Sequence, residues 1–202
     1  GGSITSTNGL LTLYCKADGG KDYYNSSVEL DSGTVSGYQV KFDIDDDLTI
    51  NEGASVSSTY DLNVNTEQGD IINKGTILGT GQINLKSKNG GNRITNDNKK
   101  YGNIINEGTI CVTGNNVSLT ASNNLTNTRT IQADGQIKFA VGGTLTNNGK
   151  IESTSSNVKA HIGRNFKNIP VPASANSSTL TGGIIEAGGN VQIDYNLDNE
   201  GI

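Results

Sequence analysis

Few side chains in this sequence are of the types that carry out catalysis or bind metal ions. His161 is the single histidine among 202 residues, and Cys15 and Cys111 are the two cysteines. A serine hydrolase needs a histidine base beside its nucleophile, and the chain has no Gly-x-Ser-x-Gly segment. Zinc sites and disulfide scaffolds need cysteines at close, paired spacings, which these two lack. We therefore expect no catalytic residues, no metal ion, no cofactor and no enzyme activity.

One acidic run has the charge that calcium requires. The segment 43–47 holds four aspartates, and hard cations are bound by several converging carboxylate oxygens. The run lacks the glycine and glutamate positions of an EF-hand loop, and the glycine-aspartate nonapeptide of calcium-binding β-rolls is absent. We interpret the run as a solvated turn.

Two short segments combine tyrosines with lysines. Segments 14–27 and 86–101 contain the candidate partner-binding residues Tyr23, Tyr24, Lys99, Lys100 and Tyr101. Tyrosine and lysine together can contact a sugar or a partner protein, since an aromatic ring offers contact area at low entropic cost. The alternative is that both segments are ordinary solvated loops whose tyrosines lie against the body of the protein, and the sequence favours this simpler interpretation.

The elements that position these residues follow from an internal repeat. An apolar residue, an asparagine two residues later and an isoleucine four residues after that recur in 104–110, 125–131 and 145–151. Most windings are 20 or 21 residues long. Apolar residues at equivalent places in successive windings are predicted to stack on one another. The place two residues before the asparagine position holds residues that include Ile50, Ile71, Ile104, Leu125 and Leu145. The place four residues after it holds residues that include Ile77, Ile110, Ile131 and Ile151.

The apolar pieces are short and alternate with polar residues. Strands of three to five residues are unstable as isolated hairpins, but stacked windings pair each strand with those above and below at a spacing of ~4.8 Å. The chain is therefore predicted to be one all-β domain over 1–202, a parallel β-helix (solenoid) of about eight coils. Insertions at 14–27, 86–101 and 169–182 interrupt the repeat and are expected to leave from its corners, the first two from the same edge.

The asparagines of the repeat form a predicted column. The column contains Asn73, Asn106, Asn127, Asn147, Asn168 and Asn199, with Glu52 in the same place nearer the amino end. A row of amides could bind a ligand, but we interpret it as a structural ladder in which each amide donates to the next carbonyl along the axis. The acidic residues, in contrast, are not expected to recur in one column, so no acid pair of the glycosidase type is predicted.

Composition excludes several classes of partner. The net charge of −5 offers no basic field for phosphates, so nucleic acid is a poor candidate. No apolar run approaches the ~20 residues that cross a bilayer as a helix, so no membrane span is expected. Isoleucine, valine and threonine together are more than twice as numerous as alanine, leucine and methionine, which favours strands over helices.

The stretch from Asn123 to Ile151 resembles the haemagglutinin repeats of filamentous haemagglutinin-type exoproteins. These are long bacterial proteins of two-partner secretion, and they include adhesins and contact-dependent growth inhibition effectors. The resemblance is best over 69–168. The resemblance implies a right-handed parallel β-helix. It also implies that an outer-membrane transporter partner exports the protein, which is secreted and displayed at the bacterial cell surface. The Asn-Pro motifs of the family's amino-terminal transport domains are absent, so an interior segment is expected.

Three functions are compatible with these observations. The first is a non-enzymatic stalk or adhesive module in contact between cells or with a host. The second is a receptor-binding segment of a contact-dependent inhibition effector, in which the corner loops contact a cell-surface receptor or glycan. The third, a carbohydrate-active β-helix enzyme, is the least supported, because no acid pair is predicted.

Overall fold

The structure is a computed structural model that describes residues 2–16, 26–89, 102–169 and 183–195. Every regular element in these ranges is a β-strand, and none is a helix. The strands, in chain order, are β1 (Gly2–Cys15), β2 (Val28–Leu30), β3 (Gly33–Ile44), β4 (Leu48–Ile50), β5 (Ala54–Ser58), β6 (Leu62–Thr66), β7 (Ile71–Asn73), β8 (Thr76–Gly79), β9 (Ile83–Ser87), β10 (Ile104–Asn106), β11 (Thr109–Val112), β12 (Val117–Ala121), β13 (Leu125–Asn127), β14 (Thr130–Ala133), β15 (Ile137–Val141), β16 (Leu145–Asn147), β17 (Lys150–Ser153), β18 (Val158–Ile162), β19 (Phe166–Asn168), β20 (Ile184–Ala187) and β21 (Val191–Tyr195).

The strands form two parallel sheets that run along the length of the protein. A seven-stranded sheet has the order β19-β16-β13-β10-β7-β4-β2. A fourteen-stranded sheet has two arms that diverge from the long strand β3, one through β5 and β8 to β20 and the other through β6 and β9 to β21, while β1 pairs with β3. Each strand inside these orders thus pairs with strands of the preceding and following windings, and the strands at the ends pair on one side. The predicted parallel β-solenoid is confirmed.

The predicted column through Ile77, Ile110, Ile131 and Ile151 is confirmed in the first arm of the larger sheet, and the second arm contains two similar columns. In the first arm, Ile110 pairs with Ile77 on one side and Ile131 on the other, and Ile131 pairs with Ile151. All four side chains are fully buried. In the second arm, the columns pass through the residue pairs Val40/Phe42, Leu62/Val64, Ile83/Leu85, Val117/Leu119, Ile137/Phe139 and Val158/Ala160. Like side chains stacked at the strand spacing therefore make up the core.

One predicted alignment in the seven-stranded sheet is wrong. Ile71 pairs with Leu48, whereas Ile50 pairs with Asn73. Leu48 and Ile50 are both completely buried, so both inward positions of β4 are apolar. Because side chains alternate with a period of two, a slip of two residues keeps the same side chains inward, and alternation alone cannot detect it.

The first described strand also follows the repeat. Ile4 pairs with Val35, and Leu11 and Leu13 pair with Val40 and Phe42. The register shifts between Ser6 and Leu10, where β1 crosses from one arm of the sheet to the other.

Glycines permit the windings to approach closely at one corner. A methyl group built on Gly108 would lie 2.1 Å from the carbonyl oxygen of Gly75 in the preceding winding, and one on Gly149 would lie 2.0 Å from that of Arg129. Cβ atoms do not reach such distances, so any larger residue at Gly108 or Gly149 must displace the neighbouring backbone.

The core columns predict a contrast between adjacent residues of β14. Replacing Ile131 by Ala removes a side chain packed between Ile110 and Ile151, and we expect the free energy of unfolding to fall by about 3 to 4 kcal/mol. Gln132 is the next residue and is half-buried on the outward face, so Gln132→Ala should change this free energy by less than about 0.5 kcal/mol. Urea denaturation followed by circular dichroism measures both variants, and equal losses would contradict the stacked core.

Candidate binding surface

The residues proposed for partner binding lie outside the described part of the chain. This applies to Tyr23, Tyr24, Lys99, Lys100 and Tyr101, and also to Asn199 and almost all of the third insertion, 169–182. Their role stays a prediction.

The strand ends that lead into the first two insertions share one corner. Cys15 at the end of β1 pairs with Ile44, Ile44 pairs with Thr66, and Thr66 pairs with Ser87 at the end of β9. Three strand spacings of ~4.8 Å separate the two ends by ~14 Å along the axis. The third insertion follows β19 of the seven-stranded sheet and so starts from a different corner.

Charged side chains form ion pairs beside both of these strand ends. Lys16 and Lys41 contact the Asp43 carboxylate at 3.1 and 3.2 Å, and Lys88 contacts Glu67 at 2.8 Å. Burial alone would raise the pKa of Asp43, but hydrogen bonds from Lys16 and Lys41 outweigh it and lower that pKa. The hydrogen bond from Lys88 is the main reason that the pKa of Glu67 is also lowered. Both carboxylates are therefore held in their charged form beside the roots of the two insertions.

The described asparagines of the predicted column form a continuous chain of hydrogen bonds. The Nδ2 groups of Asn73, Asn106 and Asn127 each donate to the Oδ1 of the next asparagine at 2.8 Å, and Asn147 donates to Asn168 at 2.9 Å. The same Nδ2 groups also donate to backbone carbonyls of the next winding, such as that from Asn127 to Lys150 at 3.2 Å. The amides between Asn73 and Asn168 are thus engaged with one another and with the backbone.

The ladder begins at Asn73, and Glu52 does not belong to it. Ile50 occupies the position opposite Asn73, while Glu52 lies exposed in the turn after β4. As a result, the Oδ1 atom of Asn73 is buried without a hydrogen-bond partner among the described residues. Placing Glu52 in this column was the same two-residue slip that misaligned Ile50.

A second polar ladder was missed at the sequence level. The Oδ1 atoms of Asp47, Asp70, Asn103 and Asn124 accept a hydrogen bond from the backbone N–H of the equivalent residue in the next winding, at 2.7, 2.8, 3.1 and 2.8 Å. Each of these residues immediately precedes the first buried residue of a strand in the seven-stranded sheet. An aspartate or asparagine directly before each of these strands is a signal that the sequence contained.

Asp47 of the acidic run belongs to this ladder, and the run is not the solvated turn that was predicted. Asp46 is 3% exposed, and its Oδ2 accepts a hydrogen bond from the Ser26 N–H at 3.1 Å. Asp47 caps the backbone of Asp70 as described above. Within the described ranges, no group of three or more His, Cys, Asp or Glu residues is placed to hold a metal ion.

The expectation that acidic residues do not recur in one column is also wrong. Glu152 and Glu186 are paired neighbours on β17 and β20. Lys150 contacts both carboxylates, at 3.0 and 3.3 Å, and these contacts raise the pKa of Lys150. The three side chains lie on the outer surface, where one lysine contacts both acids.

The other side chains with reactive groups are separated in the fold. His161 is exposed on β18, where it pairs with Ala140 and Asp194. Cys15 and Cys111 are both free and half-buried. Burial and the nearby Asp134 raise the pKa of the Cys111 thiol, which keeps it protonated and weakly nucleophilic.

A groove crosses the outer surface of β1, β3, β5, β8 and β11. It has a volume of about 470 Å³, and we name it the hydroxyl groove because serines and threonines such as Thr5, Ser36, Ser57, Thr80 and Thr113 line it. Tyr38 and the exposed Leu78 complete its apolar surface. The Tyr38 ring stacks on that of Tyr60, with 5.3 Å between ring centroids and an angle of 11° between planes.

A second groove differs in its charge. It has a volume of about 680 Å³ and follows the corner between the seven-stranded sheet and the first arm of the larger sheet. Glu52, Lys74, Glu107 and Arg129 contribute charges of both signs along it, and we name it the charged groove.

Comparisons with known proteins identify no relative. The chain matches no protein-family model, and neither curated proteins nor solved structures gave a match. None of the described residues forms a helix with the length and apolar character needed to cross a membrane. The assignment of a function therefore depends on the geometry above and on the repeat residues.

The asparagine ladder predicts unequal effects along its length. Asn127→Ala removes four hydrogen bonds in which the side chain donates or accepts, and Asn73→Ala removes two. We expect losses of unfolding free energy of about 3 kcal/mol for Asn127→Ala and about half of that for Asn73→Ala. Urea denaturation measures both, and an equal or larger loss for Asn73→Ala would contradict the cooperative ladder.

Substitutions of two buried serines are expected to change the free energy of unfolding in opposite directions. The Ser58 hydroxyl is buried without a hydrogen-bond partner in the part of the chain that the structure describes, whereas the Ser153 hydroxyl donates to the Gly135 carbonyl at 2.7 Å. Ser58→Ala should raise the unfolding free energy by about 1 kcal/mol, and Ser153→Ala should lower it by about 1 kcal/mol. Thermal denaturation gives the sign of each change, and destabilisation by Ser58→Ala would show that its hydroxyl has a partner.

Proposed function

We propose that this chain is a non-enzymatic segment of a large bacterial surface filament, which acts as a stalk and adhesive module in contact between cells or between a bacterium and its host. The observation that carries the proposal is the in-register pairing of every described winding with the next. This pairing occurs in the seven-stranded sheet and in both arms of the fourteen-stranded sheet. Such a structure lengthens by adding windings without changing its cross-section, which is what a filament requires.

The finer identification is part of the same proposal. The chain is a right-handed β-helix of about eight coils, related to the filamentous haemagglutinin-type exoproteins, exported by an outer-membrane transporter partner and displayed at the cell surface. The repeat segments 104–110, 125–131 and 145–151 support this identification. Each segment contains a strand of the seven-stranded sheet, a tight corner and the start of a strand of the fourteen-stranded sheet. Asn106, Asn127 and Asn147 of these segments are engaged in one ladder, consistent with a structural role.

The second candidate is a receptor-binding segment of a contact-dependent inhibition effector. The observation that favours it is the common corner at which β1 and β9 end, where ion pairs of Asp43 and Glu67 hold both strand ends. Two insertions that start ~14 Å apart on one edge could present one contact surface. A carbohydrate-active enzyme is less well supported, because Lys150 engages both members of the Glu152/Glu186 pair.

Cell-binding measurements test the adhesive role. Fluorescently labelled protein should bind bacterial or epithelial cells in a saturable manner, while a spacer without adhesive function would show no saturable component. Hydrolysis of a panel of bacterial and host polysaccharides by the purified chain would contradict the non-enzymatic assignment.

A triple variant separates the two candidates. If the corner insertions recognise a receptor, replacing Tyr23, Tyr24 and Tyr101 by Ser should reduce cell binding at least tenfold, with an unchanged circular dichroism spectrum. Tyr195→Ser removes an exposed tyrosine of β21 and is the matched control, for which binding should be retained. Unchanged binding by the triple variant would exclude these tyrosines as the contact.

A further inference from the structure

We propose that the hydroxyl groove is a binding site for an uncharged oligosaccharide. The inference gives the adhesive role a ligand class and to that extent rests on the proposed function. It differs from the second candidate above because it uses residues of the sheet itself and none of the corner insertions.

The absence of charge from the groove indicates the class of ligand. Every residue that lines it is uncharged, although charged residues make up 17% of the chain. Sulfate, phosphate, carboxylate or ammonium groups would therefore find no compensating charge, and their desolvation there would be unfavourable. The charged groove, in contrast, carries Glu52, Lys74, Glu107 and Arg129. The two grooves thus offer an internal comparison on one protein.

The hydroxyl groups match the hydrogen-bonding pattern of a sugar. Serine and threonine hydroxyls both donate and accept hydrogen bonds and rotate to suit a partner, as sugar hydroxyls do. Thr80 Oγ1 donates to the Thr59 carbonyl at 2.6 Å, which leaves its lone pairs free to accept from a ligand. Thr59, Thr80 and Thr113 are exposed at the groove.

The apolar part of the groove offers surface for the C–H face of a sugar ring. Tyr38 and Leu78 line the groove and are 43% and 42% exposed, and Tyr60, which stacks on Tyr38 beside the groove, is 49% exposed. Exposed apolar groups that cluster beside a groove mark interaction sites more often than chance exposure does. The stacking of Tyr38 on Tyr60 fixes both rings, so little side-chain entropy is lost when a ligand packs against them.

The shape of the groove favours a short chain of sugars over a peptide. Five strands in succession span about 19 Å, as four spacings of ~4.8 Å, and the volume of about 470 Å³ is in the usual range for ligand sites. An extended peptide would need a free strand edge for backbone pairing. β3, β5, β8 and β11 are each paired on both sides, so among the described strands of the groove only β1, at one end, offers such an edge.

The test is titration of the protein with neutral oligosaccharides of glucose, galactose and N-acetylglucosamine, and with sulfated and sialylated counterparts. Because the chain has no tryptophan, near-ultraviolet circular dichroism of its tyrosines reports packing of a ligand on Tyr38 and Tyr60. At least one neutral series should bind with millimolar or better affinity and change this signal. Binding of charged sugars alone, or of none at up to about 10 mM, would overturn the proposal.

Variants localise the site. The double variant Tyr38→Ser/Tyr60→Ser and the single variant Leu78→Lys, both at exposed positions, should each weaken neutral-sugar binding at least tenfold while the far-ultraviolet spectrum stays unchanged. Arg129→Gln in the charged groove and Tyr195→Ser are the controls and should bind as the unmodified chain does. Equal affinity of the groove variants and the controls would place the sugar elsewhere and contradict the inference.

Cell binding by the same variants separates this inference from the proposed function. If cells bind in a saturable manner but no neutral sugar binds in the groove, the groove inference fails while the adhesive role stands. If neutral sugars bind in the groove but no cell type binds, the adhesive role fails while the groove assignment stands.

Discussion

Parallel hydrogen bonding between successive windings is the interaction on which this structure depends. Strands of three to five residues bury too little surface to be stable alone, and no winding can satisfy its own backbone. Pairing with the winding on either side provides both the buried surface and the backbone hydrogen bonds. It satisfies N–H and C=O groups and stacks Ile110, Ile131 and Ile151 into one column. Stability is therefore a property of neighbouring windings, and it accumulates along the axis.

The same spacing determines how polar side chains are used. Asn106, Asn127 and Asn147 are buried beside the apolar columns, and their amides find partners because an identical amide lies one strand spacing away. Aspartates and asparagines at a second corner cap the backbone of the next winding in the same manner. Buried polar groups would otherwise be costly, so the repeat of side-chain identity is as necessary at these corners as in the core. The hydroxyl groove differs because Thr59, Thr80 and Thr113 are exposed there and their hydroxyls have capacity left for a ligand.

The sequence predicted the stacked columns because the repeat and the alternation of apolar residues give the same answer in most windings. It misplaced Ile50 and Glu52 because a two-residue slip preserves which side chains face inward, and only the backbone pairing of Leu48 with Ile71 resolves it. The pairing of Glu152 with Glu186 was within reach, since the aligned residues Ile151 and Ile185 directly precede them, but the insertion between them hid their common column. The stacking of Tyr38 on Tyr60 was out of reach, because β3 runs unbroken around a corner where later windings turn, and the repeat is faint there.

Distances between spin labels along the seven-stranded sheet test the stacked register most directly. In a cysteine-free background, one nitroxide on Lys167 and a second on Ile72, Thr49 or Glu29 occupy outward positions four, five and six strands apart. Electron–electron double resonance should give separations that rise in steps of ~4.8 Å, from about 19 to 24 to 29 Å. Separations that fail to increase in this order, as in two packed antiparallel sheets, would contradict the solenoid and the functions proposed from it.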